Sequence, residues 1–147
     1  MDRPAQTRRL RRLGSSRSPG QAIVEFALVV PVFLMIFFGT VDFGMAFNAS
    51  LTISNAAREG ARTGVTSPTT AAVTARVKNV VGSMNDSKLT IAVSCLTPSN
   101  AACAGGMAGA ATGDTLVVTV GYNYSLITPI AFGTVVPLSS TEKMLIE

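Results

Sequence analysis

The hydrophobic pattern of this chain changes character twice. From Phe26 to Phe38 no residue is polar, and the first charge after Phe26 is Asp42. Ala22 to Val41 is about the ~20 residues that cross a ~30 Å hydrocarbon core as a helix. Pro31 lies inside this run, where it removes one backbone bond and predicts a kink. Beyond Asn48 the pattern becomes amphipathic. Leu51, Ile53, Ala56, Ala57, Ala61 and Val65 recur at helical spacing, with Asn55, Arg58, Glu59 and Arg62 on other faces. The prediction is one long helix, its first half in lipid and its second half in water. Glu59 and Arg62 stand as an i, i+3 pair on a charged surface. Gly60 and Gly64 weaken the last turns, and Gly64 is a candidate cap.

The second change is to short elements. Ser67 is a candidate N-cap and Pro68 suits a first helical position, ahead of an apolar stripe of Val73, Val77, Val80, Val81 and Met84. Gly82 and Asn85 mark the end of that helix. Leu89, Ile91, Val93 and Cys95 then alternate with Thr90, Ala92 and Ser94, the pattern of a half-buried strand. Leu96 to Gly113 reads as a long loop. Thr115 to Ser125 is the strongest strand, with Leu116, Val118, Val120, Tyr122 and Tyr124 on one face. Gly133 and Pro137 predict an irregular stretch before a last strand over Leu138–Ile146. The fold class is therefore α+β: a long transmembrane helix, a short helix and a small antiparallel sheet of about three strands. The expected organisation is a basic leader over 1–20, a membrane helix over 21–47 and an extracytoplasmic domain over 48–147.

Charge sharpens this picture. Residues 1–20 hold six arginines against one aspartate, while the whole chain is only +4, so the remainder carries one net negative charge. A basic stripe for nucleic acid is missing from the folded part. The arginines instead fit the positive-inside rule, with the N-terminus cytoplasmic and the C-terminal part outside. The chain has no histidine and two cysteines. Without histidine there is no Ser-His-Asp or Cys-His pair, and no phosphate-binding glycine loop stands between a strand and a helix. No cofactor and no metal are expected, and the carboxylates Asp86, Asp114, Glu142 and Glu147 read as solvated. Cys95 and Cys103, on the external side, suggest a disulfide closing a short loop.

Glu25 is the informative residue of the apolar stretch. A carboxylate carried to mid-membrane costs roughly 2.5–3.5 kcal/mol. It either snorkels to the headgroups or finds a partner. Pro19 and Gly20 disfavour helix, so the backbone there is expected to be extended and open to a protease. Cleavage between Gly20 and Gln21 would make Glu25 the fifth residue of the mature chain, one helical turn from a new ammonium group. That pair would form within one chain or between adjacent subunits. A signal-peptide cut after Ala46 is the competing site, although helical character continues past it.

Three motifs in order carry a family resemblance. Gly20-Gln21-Ala22-Ile23-Val24-Glu25-Phe26-Ala27-Leu28-Val29-Val30-Pro31, then Asp42-Phe43-Gly44, then Asn55-Ala56-Ala57-Arg58-Glu59-Gly60-Ala61-Arg62 resemble the N-terminal signature of TadE-like proteins. These are minor pilins, or pseudopilins, of the tight-adherence (Tad/Flp) branch of type IV pili. The resemblance covers roughly residues 20–63, and Met45 stands where the family pattern has arginine. It implies a non-catalytic subunit cut after Gly20 by a membrane prepilin peptidase, with Glu25 needed for cleavage and assembly. The implied partners are that peptidase, other Tad/Flp pilins, an inner-membrane assembly platform and lipid. The alternative is a signal-anchored extracytoplasmic binding or adhesion domain that is neither processed nor assembled.

Overall fold

The computed structural model describes residues 19–128 and 133–147. The leader through Ser18 lies outside the described residues. The elements are α1 (Pro19–Thr66), α2 (Thr70–Val81), β1 (Leu89–Leu96), β2 (Thr115–Ser125) and β3 (Val135–Leu145), with 3-10 turns at Asp86–Lys88 and Gly106–Gly109. The α+β layout follows the hydrophobic pattern closely. The chain divides after Leu34 into a segment ending there and a compact unit, Met35–Glu147.

In the first unit the apolar residues of α1, among them Ile23, Phe26, Leu28 and Phe33, are exposed. By length and composition α1 is a candidate membrane span, and none of its most apolar window is buried in the protein. The helix starts earlier than its composition suggests. Pro19 and Gly20 form its first residues instead of an extended lead-in, because a first-turn proline loses no intrahelical bond and already has helical φ.

In the second unit β2 is the central strand, antiparallel to β1 on one side and to β3 on the other. Ile53, Ala56, Ala57 and Ala61 of α1, Val73 and Val77 of α2, and Leu116, Val118 and Val120 of β2 are fully buried and make the core. Two glycines set how closely these layers approach. A Cβ on Gly60 would lie 2.6 Å from Val77 Cγ2, and one on Gly64 would overlap Leu116. Gly64 is thus a packing position inside α1, not its cap, and the helix runs on to Thr66.

The short helix also starts later than predicted. Thr69, not Ser67, is the N-cap, its side chain accepting from the Ala72 N–H, which leaves Pro68 outside the helix. β3 begins at Val135 and carries Pro137 opposite Asn123. Proline is tolerated there because β3 is an edge strand with one side free of ladder bonds. The 97–114 connection is ordered in part by a bridge between Leu96 and Ala102 and by the Gly106–Gly109 turn.

Candidate functional site

Two groups of side chains stand out, one on each unit of the chain. In the first, Gln21 Nε2 donates to Glu25 Oε1 at 3.2 Å, both residues exposed on one face of α1. The i, i+4 spacing of a helix makes this contact. Gly20 lies in the first turn of α1, and among the described residues nothing stands within 4 Å of where a Cβ on it would be. Pro31 sits within α1 and is exposed.

The second group is centred on Asp42. Its carboxylate is buried, 4% exposed, and accepts the backbone N–H of Ile127 at 2.9 Å and of Thr128 at 2.8 Å. The Thr128 and Tyr124 hydroxyls donate to it as well. Four donors around one carboxylate offset its desolvation. Burial first, and then the neighbouring Asp42 carboxylate, push the Tyr124 phenol above its ordinary range.

This clamp follows from how β2 lies on α1. Gly64 faces Leu116, Gly60 faces Val118, and Asp42 meets Ile127, so β2 runs back along the helix. The spacing agrees: the 22 residues from 42 to 64 rise roughly 33 Å as helix, and the 11 from 116 to 127 extend roughly 36 Å as strand. In the sequence Asp42 stands out only as a residue of the Asp42-Phe43-Gly44 motif. Its one local signal was being the first charge after the apolar run.

Beside Asp42, Phe43 is exposed and stacks on Phe47 with centroids 6.3 Å apart. Gly44 and Met45 are exposed too. The Asn55–Arg62 motif splits by face. Ala56, Ala57, Gly60 and Ala61 are buried, whereas Asn55, Arg58 and Arg62 are exposed. Arg58 Nε pairs with Glu142 Oε1 at 3.0 Å, joining α1 to β3. Glu59 pairs with Arg76 of α2 at 2.6 Å. Its principal partner is therefore not Arg62, and Glu142 is not merely solvated. The Arg76 hydrogen bond and charge, with a lesser contribution from Arg62, hold the Glu59 carboxyl below its ordinary range.

Cys95 and Cys103 are joined as a disulfide with Cα atoms 5.4 Å apart. Asp114 is buried against them, against the solvated position its sequence context suggested. Its Oδ2 lies 3.5 Å from Cys103 Sγ and accepts the Ala111 N–H at 2.9 Å. The three residues have the donor atoms of a metal site within 4.8 Å of one another. With the sulfurs bonded to each other, neither supplies the thiolate a metal needs.

These features define a class: a protein whose long N-terminal helix is apolar and exposed over its first part and, over its last part, packs on a small antiparallel sheet. Residues 20–62 match the family model described as TadE-like protein, the family its motifs resemble. No curated protein and no solved structure matches the chain.

Proposed function

We propose that this chain is a non-catalytic, prepilin-like subunit of a tight-adherence (Tad/Flp) pilus machinery. The observation that carries the reading is the coincidence of the TadE-like match over residues 20–62 with an apolar helical stretch whose most apolar window has no buried residue. Such a surface is stable in lipid or against other apolar helices. In this reading the protein crosses the inner membrane once, with the leader cytoplasmic and the sheet domain outside. A prepilin peptidase cuts between Gly20 and Gln21. Glu25 then meets the new ammonium group, in its own chain or a neighbour, and the helix packs laterally with other pilin helices at the assembly platform.

The test is the mature N-terminus, read by mass spectrometry of the protein from a Tad-bearing cell. A chain beginning at Gln21 supports the reading; an intact leader, or a start at Phe47 after Ala46, overturns it. Glu25→Ala separates assembly from simple anchoring. If processing and pilus formation are unchanged by that substitution, the protein is an anchored external domain instead.

A further inference from the structure

The end of the β2–β3 hairpin is held at a particular height on α1. Asp42 follows Val41, the last residue of the Ala22–Val41 stretch whose length fits a hydrocarbon core and whose one charge is Glu25 near its start. Its carboxylate binds the Ile127 and Thr128 amides directly, at 2.9 and 2.8 Å. The hairpin neck is closed just before, where Leu126 N–H donates to Thr134 O at 3.1 Å. Ile127 therefore stands level with the helix turn that follows the apolar run.

Its side chain does not turn into the core. Ile127 is 50% exposed, and Phe43, beside Asp42 on the helix, is 72% exposed. No residue from 126 to 134 is charged in the sequence. A hydrocarbon core of about 30 Å within a bilayer of about 40–45 Å leaves an interfacial band of roughly 5–8 Å on each side. A residue bonded to the helix one position past the core falls in that band. Apolar side chains entering such a boundary gain by leaving water.

We propose that Leu126–Thr128 is a lipid-contacting element: Ile127 enters the headgroup–acyl boundary beside the exit of α1, and Asp42 is the positioning residue that holds it there. The inference rests on the reading that α1 crosses the membrane. It makes the sheet domain a body seated on the bilayer at two places, the helix and the hairpin end. The carboxylate at the membrane edge then has a structural reason, since three of its four donors are supplied by the segment it positions and the fourth by Tyr124 just before it.

The chain has no tryptophan, so one introduced indole reports alone. The full chain is reconstituted in phosphatidylcholine–phosphatidylglycerol vesicles containing brominated lipids. Three variants are compared: Ile127→Trp, Leu34→Trp within the apolar run, and Thr90→Trp on the exposed side of β1. Leu34→Trp is expected to be quenched by bromines near the acyl-chain methyl end, and Thr90→Trp to escape quenching. Ile127→Trp is expected to emit blue-shifted light and to be quenched most by bromines near the headgroup. Adding Asp42→Asn should shift that emission to the red and remove the shallow quenching, while Leu34→Trp stays unchanged. If Leu34→Trp is quenched and Ile127→Trp behaves like Thr90→Trp, the lipid contact is overturned and the membrane span stands. If Leu34→Trp itself is unquenched, the span and the contact both fall.

Discussion

Asp42 Oδ1 accepts the backbone N–H of Ile127 at 2.9 Å across 85 positions of sequence. One helical side chain thereby replaces the solvent that two loop amides would otherwise bind. Asp42→Ala is expected to leave those amides without an acceptor and to release the hairpin end. Hydrogen exchange should speed up at Ile127 and Thr128 while Val118 and Val120 in the core keep their protection. Equal loss of protection at all four positions would mean that Asp42 supports the whole fold, not the hairpin end.

The contact of Gly60 with Val77 sets the distance between α1 and α2. Gly60→Ala places a methyl 2.6 Å from Val77 Cγ2, an overpacking expected to cost about 1–3 kcal/mol. Chemical denaturation of the single variants and of Gly60→Ala/Val77→Ala forms the check. The double variant should be less destabilised than the two single losses added together, because the second change vacates the space the first one fills.

The Glu59–Arg76 pair has a defined pH signature. The folded Glu59 carboxyl is held below its ordinary value of 4.5. Its stabilisation is therefore present above that value and is lost as pH falls through the lower, folded one. Arg76→Met should reduce stability at neutral pH, and its deficit relative to the parent protein should shrink below pH 4.5. Added salt should shrink it too, since both partners are substantially exposed. A deficit independent of pH and salt would assign it to lost packing by the arginine stem.

The disulfide closes a loop with a sequence separation of 8. On chain entropy a loop of that size contributes about 2.5 kcal/mol. Replacing Cys95 and Cys103 together by alanine should lower unfolding stability by that order, and the parent protein should gain the mass of two hydrogens on reduction. No mass change on reduction would mean that the thiols are free in the isolated protein.

Much of the architecture was legible locally. An apolar stretch of membrane length, with Glu25 its one charge, is satisfied by a helix that makes its own backbone bonds. The valine stripe over 73–81 and the alternation over 89–95 and 115–125 each mark a buried face, because burial repeats with the geometry of the element. The cysteines, with one short loop between them, were likewise a local signal. Local composition misleads at both prolines: at Pro19 it argues against helix, but a first-turn position permits proline, and Pro137 interrupts a pattern yet fits an edge strand.

What only the tertiary structure decided is which distant residues meet. The sequence by itself established an apolar helix with Glu25 near its start, an amphipathic continuation, and three strands. It did not reveal that β2 lies centrally and runs back along α1. That arrangement brings Ile127 and Thr128 to Asp42 and Glu142 to Arg58, while the packing of α2 on α1 brings Arg76 to Glu59. It also turns Gly60 and Gly64 from weak helix residues into the sites of closest packing. Periodicity records which side of an element is buried; it carries no information about the partner that buries it.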